Sequence, residues 1–133
     1  MKLDEFTRSY IATMLWSTSD ESDDQGGEPL DRNYTESDLA PETLARIVAD
    51  CAAFQAEMDG TISDSLSDWE RAGHDFWLTR NGHGCGFWDG DWPEPHATKL
   101  TNASKRFGVV YVYVADGQIY MTPEPKAFEK NAE

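Results

Sequence analysis

The spacing of the apolar residues changes at Gly73, and this change constrains the fold more than any other feature of the sequence. Before Gly73, apolar side chains recur every three or four residues over about 4–17 and 38–60, which is typical of helices with one buried face. A shorter helix is predicted over 62–72. After Gly73 the period becomes two, which is typical of strands. The sequence therefore predicts an α+β fold.

Two tight-turn signals after this point predict two β-hairpins. An Asn-Gly pair at 81–82 predicts a hairpin over 75–88, and an Asp-Gly pair at 116–117 predicts a second one over 109–121. A helix is expected between them, over 95–107. We therefore expect N-terminal helices packed on a small antiparallel sheet built from two β-hairpins with an intervening helix. The first strand of the second hairpin is bulky on both faces, so we expect it to be central in the sheet.

The chain is strongly acidic, and its acidic residues are unevenly distributed. Its 133 residues include 25 acidic and 11 basic side chains, which gives a net charge of −14. The first 72 residues hold 17 of the acidic and 5 of the basic side chains. Residues 18–37 combine this acidity with low hydrophobicity and no periodicity. We expect a single domain over 1–133 with an acidic, mobile loop at about 18–37.

The acidic half of the chain predicts a protein partner with a basic surface. Its field repels the phosphates of nucleic acids and anionic lipid headgroups, so we expect neither direct nucleic-acid binding nor membrane binding. Carboxylates on helices could instead imitate the phosphates of a nucleic acid, although a solubilising role is the simpler interpretation. The candidate residues of this acidic surface are Asp20, Glu21, Asp23, Asp24, Glu28, Asp31, Glu36 and Asp38.

The glycine-rich segment 73–92 is a second candidate site, because it combines histidine, arginine, carboxylate and tryptophan side chains. Trp and Arg are enriched where interfaces gain most of their binding energy. The simpler interpretation is that Trp77 and Trp88 face each other across the hairpin and support the sheet. The candidate binding residues of this segment are His74, Asp75, Arg80, His83, Trp88 and Trp92.

Metal binding and catalysis are alternative interpretations of the same segment. His74, Asp75, His83 and Cys85 offer donors that suit zinc, but the common Cys-x-x-Cys and His-x-x-x-His spacings are absent. Cys85 could act as a nucleophile with a histidine base, yet no known nucleophile signature surrounds it. A histidine beside a turn can also be purely structural. We therefore assign no catalytic residue, no metal ligand and no cofactor.

The cysteines and the hydropathy predict a cytosolic protein. Cys51 and Cys85 lack the spacing of a disulfide framework, which favours reduced thiols. No stretch approaches the roughly 18 consecutive apolar residues that a membrane-spanning helix needs.

The run GHDFWLTRNGHG at 73–84, followed by GFWD at 86–89, resembles a family of small acidic proteins encoded by bacteriophages and prophages. The resemblance extends over nearly the whole chain, including WST at 16–18, EPLD at 28–31 and DGQIY at 116–120. Position 85 departs from it, with a cysteine where a small residue is expected. The resemblance implies a phage accessory protein that acts in the cytoplasm of a bacterial host, and it implies no reaction and no catalytic residues.

Three functions are compatible with these features. The first is a non-enzymatic phage accessory protein that binds a host or phage protein, for example as an acidic inhibitor of a bacterial defence or nucleic-acid-processing system. The second is a protein that binds a small ligand or a metal ion, with or without catalysis, through the 73–92 hairpin. The third is a structural role as a homodimer that forms through the hairpins.

Overall fold

The computed structural model describes residues 2–20 and 27–123. These residues form four α-helices, two short 3₁₀ helices and one antiparallel sheet of two strands, which confirms the mixed α+β class. None of the helices in this part of the chain is both long and apolar enough to cross a lipid bilayer. In chain order the elements are α1 (Glu5–Ser17), the 3₁₀ helices Leu30–Arg32 and Glu36–Asp38, α2 (Pro41–Ser63), α3 (Trp69–Arg80), α4 (His96–Phe107), β1 (Tyr111–Ala115) and β2 (Gln118–Thr122).

Helix α1 begins at a side-chain cap and buries one apolar face. The Asp4 carboxylate accepts a hydrogen bond from the N–H of Thr7 at 2.8 Å, which satisfies a donor that the first helical turn leaves unpaired. Partial burial raises the pKa of Asp4, but hydrogen bonding, chiefly to Thr7, outweighs it and holds that pKa below its ordinary value. Phe6, Tyr10 and Met14, each four residues from the next, are fully buried.

Helix α2 differs from the prediction at both ends. Asp38, where the helix was predicted to begin, instead completes the capping box of the preceding 3₁₀ helix by accepting from the N–H of Thr35 at 2.8 Å. Pro41 is the first residue of α2, a position where proline loses no helical hydrogen bond. The helix continues past Gly60 because Ile62 extends its buried face. The separate helix expected over 62–72 is therefore wrong in its bounds.

The predicted strand at 75–79 is wrong, because these residues lie in α3. Asp68 caps the N-terminus of the helix, because its carboxylate accepts from the N–H of Arg71 at 2.9 Å. From residue 75 onward every side chain of α3 is buried, including the polar Asp75 and Thr79. The apolar residues of α3 recur at 69, 72, 76 and 77, which is helical spacing, so the change of period placed at Gly73 is wrong for this stretch.

The returning strand predicted at 84–88 is also wrong, so the first hairpin does not form; 81–95 is a loop that joins α3 to α4. A Cβ atom at Gly86, where φ is 151°, would overlap the hydroxyl of Thr79. The N–H of Phe87 donates to that hydroxyl at 3.0 Å, and the Phe87 ring is fully buried. The loop is therefore attached closely to α3, and this close contact requires a glycine at position 86.

Within the described residues the sheet consists of β1 and β2 alone, joined by the turn at 116–117. Ile119 of β2 is fully buried, and its carbonyl accepts from the N–H of Ala40 at 3.0 Å. Strand β1 has one strand neighbour, and its Tyr111 and Tyr113 are exposed. The prediction that this strand is central is wrong, because its bulky outer face lies in contact with solvent rather than with a further layer.

An aromatic core holds the four helices together. The ring of Phe76 on α3 lies 4.2 Å from that of Phe54 on α2, in a stacked arrangement. It lies 5.4 Å from the ring of Tyr10 on α1 and meets Phe107 of α4 edge-on at 5.1 Å. Fully burying a side chain of this size contributes about 1.5–3 kcal/mol relative to leaving it exposed. Phe76 therefore joins all four helices at the centre of the fold.

Candidate functional site

The structure brings three of the predicted residues of segment 73–92 together around one buried carboxylate. Oδ1 of Asp75 lies 2.9 Å from Nδ1 of His74, and Oδ2 accepts from Nε1 of Trp92 at 2.7 Å. Burial raises the pKa of Asp75, and the hydrogen bonds from His74 and Trp92 reduce that rise without cancelling it. The carboxylate fixes the orientation of the half-exposed imidazole, which leaves Nε2 of His74 as the nitrogen available to other groups.

Replacing Asp75 with alanine is expected to lower the free energy of unfolding by about 2 kcal/mol, because the indole N–H of Trp92 then loses its acceptor inside the protein. The Asp75→Asn variant keeps an acceptor for that N–H and is expected to lose less. Urea unfolding of the three proteins measures the difference. Equal losses in the two variants would contradict the role of this hydrogen bond.

Comparison of Asp75→Asn with the unmodified protein also tests the raised pKa of Asp75. Because burial raises that pKa, the folded state binds the proton more tightly than the unfolded state. The stability of the unmodified protein should therefore fall as the pH rises from the ordinary pKa of an aspartate through the raised value. Asp75→Asn removes this titration, so its stability should decline less over that interval. Parallel pH profiles for the two proteins would show that the carboxyl titrates normally.

Arg80 does not join this cluster, because its guanidinium is buried in the core. It donates to the Gly108 carbonyl at 2.8 Å, the Phe107 carbonyl at 2.9 Å, the Tyr10 hydroxyl at 3.1 Å and Asp50 Oδ2 at 2.9 Å. Two of these acceptors are at the C-terminal end of α4, where carbonyls lack helical partners. Arg80 therefore stabilises the fold. Because it is only 3% exposed, it is not accessible to an external partner.

His83 and Trp88 lie in the loop after α3, apart from the Asp75 cluster. The N–H of His83 donates to the Leu78 carbonyl at 3.0 Å, and its side chain lines a cavity of about 340 Å³. Trp88 is 52% exposed. Trp77 is buried instead, and its Nε1 donates to Ser17 Oγ at 2.8 Å. Because the hairpin is absent, Trp77 and Trp88 do not form the expected cross-strand pair.

The structure places the candidate metal donors and both thiols of the described part of the chain. Among residues 2–20 and 27–123, no three His, Cys, Asp or Glu side chains are grouped so that they could hold a metal ion. Cys51 is buried, and burial raises the pKa of its thiol. Cys85 is exposed, but partial desolvation and the carboxylates of Asp89 and Asp75 raise its pKa as well. A raised pKa disfavours the thiolate, which is the nucleophilic form.

The predicted acidic surface is described in part. Glu28, Asp31 and Glu36 are exposed, while Asp20 and Asp38 are half-buried. Asp38 caps the second 3₁₀ helix, so that part of its charge is satisfied locally. The remaining candidates lie outside the described residues, namely Glu21, Asp23 and Asp24.

Two of the exposed acidic residues, Asp31 and Glu36, lie in a groove of about 840 Å³ along the outer side of α1. We call this the α1 groove. Its apolar lining residues are Leu3, Ile11, Ala12, Leu15, Trp16 and Tyr34. Its charged lining residues are five acidic side chains and two basic ones, namely Asp4, Glu5, Asp31, Glu36, Glu70, Lys2 and Arg8. The groove thus combines an apolar surface with an excess of negative charge.

The α1 groove forms because the segment after the acidic stretch folds back on α1. Leu30 is 1% exposed, and its N–H donates to the Thr18 carbonyl at 2.9 Å. This contact places the first 3₁₀ helix beside the C-terminal end of α1. The acidity of residues 18–37 predicted Asp31 and Glu36, but no sequence pattern indicated the acidic residues that α1 and α3 contribute to the groove, Asp4, Glu5 and Glu70. Their only signal in the sequence is their polar position on otherwise amphipathic helices.

Two cavities meet beside α1. The second one, of about 260 Å³, is lined by Ser9, Asp68, Glu70, Arg71 and His74, so that Ser9 and Glu70 border both. The ring of His74 lies 5.9 Å from that of Trp16, which lines the α1 groove.

Comparison of the chain with family models, with curated proteins and with solved structures found no match.

Proposed function

We propose that the chain is a non-enzymatic bacteriophage accessory protein that binds a host or phage protein with a basic surface, and that the α1 groove is its binding surface. The observation that carries this proposal is the lining of the groove, where five carboxylates and two cationic side chains surround an apolar wall. A groove with this lining is complementary to a partner segment that carries both cationic and apolar side chains.

The charged and apolar parts of the groove contribute differently to binding. The excess of carboxylates attracts a basic partner over a distance and raises the rate of association. The apolar wall supplies contacts that desolvate on binding, and Trp16, which is 47% exposed, offers the largest of them. Tryptophan is the residue type most enriched among those that dominate interface energetics. Charge therefore favours encounter with basic proteins, and the apolar wall favours retention.

A nucleic-acid-processing or defence protein of the bacterial host fits this chemistry, because such proteins carry basic surfaces that bind phosphates. The carboxylates of α1 and of residues 31–36 would occupy that surface in place of the nucleic acid. The resemblance of the GHDFWLTRNGHG run to phage and prophage proteins supports this setting in the bacterial cytoplasm. The net charge of −14 supports a protein partner over direct binding to nucleic acid.

Neutralising the rim of the groove is expected to weaken partner binding. The variant Glu5→Gln, Asp31→Asn, Glu36→Gln removes three exposed carboxylates that line the groove. If each contributes about 0.5 kcal/mol or slightly more, the affinity should fall by about 10-fold. The partner is first captured from bacterial lysate on the tagged protein at low and at high salt and identified by mass spectrometry. Calorimetric titration of the purified partner then measures the affinity.

A matched control separates the groove from net charge. The variant Glu42→Gln, Asp59→Asn, Asp64→Asn changes the net charge equally, but its three exposed residues do not line the α1 groove. Its affinity should remain within about 3-fold of the unmodified protein, because these three charges do not line the binding surface and the solution screens exposed charges. Equal losses in the two variants would mean that binding follows overall charge, and no loss in either would contradict the proposed surface.

A further inference from the structure

The end of the α1 groove nearest α3 brings together an aromatic, an imidazole and a carboxylate side chain. The inference drawn from it rests on the proposed function. Trp16 of α1 lies beside His74 of α3, with the ring centroids 5.9 Å apart and the ring planes tilted by 32°. Glu70 lies one helical turn before His74, so that the two side chains are neighbours on the surface of α3. An aromatic ring, an imidazole and a carboxylate therefore lie near one another where the α1 groove meets the adjoining cavity.

We propose that Trp16, His74 and Glu70 form a subsite for an arginine side chain of the partner. The planar guanidinium stacks on aromatic faces and pairs with a carboxylate through two parallel hydrogen bonds. Trp16 supplies the exposed aromatic face, since it is 47% exposed. Glu70, whose side chain lines both the α1 groove and the adjoining cavity, supplies the carboxylate.

The surroundings of the subsite leave it open to a ligand cation. Arg71, which lines the adjoining cavity with Glu70 and His74, pairs with Asp91 at 2.9 Å and with Asp68 at 3.8 Å. His74 is oriented by Asp75, which lies 2.9 Å away and adds negative charge behind the imidazole. The backbone beneath Glu70 is also held in place, because its carbonyl accepts from the Ser9 hydroxyl at 2.6 Å. The subsite is therefore preorganised on two packed helices, which reduces the cost of binding.

Arginine is favoured over lysine by the shape of this subsite. A lysine ammonium is strongly hydrated and acts as a point charge, whereas the guanidinium is planar and more weakly hydrated. The stem of an arginine can lie along the Trp16 ring while its head reaches the carboxylate. The subsite should therefore discriminate between the two cations, which the acidic rim of the groove alone would not do.

The test uses the full-length protein, labelled with ¹⁵N, and N-acetyl-arginine methylamide as the probe. The indole N–H groups of the five tryptophans report binding, and the Trp16→Phe variant assigns the signal of Trp16 by its loss. We expect the Trp16 signal to shift saturably with a millimolar Kd, while that of the buried Trp77 stays in place. Glu70→Gln should weaken binding at least 3-fold, whereas Glu42→Gln, at an exposed position away from the groove, should not.

The comparison probes are the lysine analogue and the uncharged norleucine analogue of the same compound. Weaker binding of the lysine analogue and no binding of the norleucine analogue would support the subsite. No saturable shift with the arginine probe, equal binding of the arginine and lysine probes, or indifference to Glu70→Gln would overturn it. These outcomes are separate from the proposed function, because a partner that depends on Glu5, Asp31 and Glu36 can be captured even when the arginine probe fails.

Discussion

Replacing Arg80 with alanine is expected to lower the free energy of unfolding by about 3–5 kcal/mol, because the substitution removes a buried cation that several buried groups depend on. The guanidinium donates to Asp50, to the Tyr10 hydroxyl and to two carbonyls at the end of α4. All of these acceptors lose a partner at once, and the Arg80 side chain that supplies it is 1% exposed. The aromatic rings of Phe76 and Phe107 also lose the cation that lies over them.

Urea unfolding measures this loss, with Arg106→Ala as the matched control. Arg106 lies on α4 and pairs with Glu57, but both side chains are exposed, so its removal should cost less than about 1 kcal/mol. If Arg80→Ala does not fold, Arg80→Lys provides the measurement, because lysine keeps the charge and loses the forked geometry. A loss for Arg80→Lys no greater than that for Arg106→Ala would contradict the role assigned to the guanidinium.

Replacing Gly73 with alanine is expected to destabilise the protein by about 3 kcal/mol, at the upper end of the usual cost of overpacking. A Cβ atom at this position would overlap the carbonyl oxygen of Phe6, which belongs to the backbone of α1. Backbone cannot move aside as a side-chain end can, so α1 and α3 would have to separate. This separation would disturb the contacts of Phe6 and Tyr10 with Phe76.

Gly60→Ala is the matched control, because Gly60 also lies inside a helix but has no neighbouring atoms where a Cβ would be added. Alanine is the better helix former, so this variant should be more stable than the unmodified protein by about 0.5–1 kcal/mol. The two substitutions should therefore change the midpoint of thermal unfolding in opposite directions. A Gly73→Ala protein as stable as the unmodified chain would show that the two helices are not in close contact at this point.

The GHDFWLTRNGHG run is mainly a structural segment. Gly73 permits the contact between α1 and α3, Arg80 binds the end of α4, and the Asn81 side chain accepts from the N–H of Val110 at 2.8 Å. Of its two histidines, His74 lies at the junction of the two cavities beside α1, and His83 borders a third cavity. The unusual composition of the run thus reflects a fold that requires special residues, with His74 as the residue that the proposed subsite uses.

The sequence by itself determined the elements in which charged residues are exposed and large apolar residues are buried. In α1, α2 and α4 no charged residue is buried and most large apolar residues face the core, so a period near 3.6 is visible in the chain. The Asp-Gly pair at 116–117 lies in the turn between β1 and β2. This tight turn requires positive φ at both positions, and aspartate and glycine adopt positive φ more readily than most residues. The excess of acidic residues in the first 72 positions is likewise a property of the sequence alone.

Only the tertiary structure decided the rest. Helix α3 buries Asp75, Thr79 and Arg80, whose partners come from other elements, so these polar residues do not mark an exposed face. The α1 groove depends in the same way on contacts between segments distant in the chain, since its carboxylates come from α1, from residues 31–36 and from α3. The spacing of polar and apolar residues indicates which face of a helix or strand is buried. A buried polar network and a groove lined by several segments depend instead on contacts between distant parts of the chain, which only the folded structure creates.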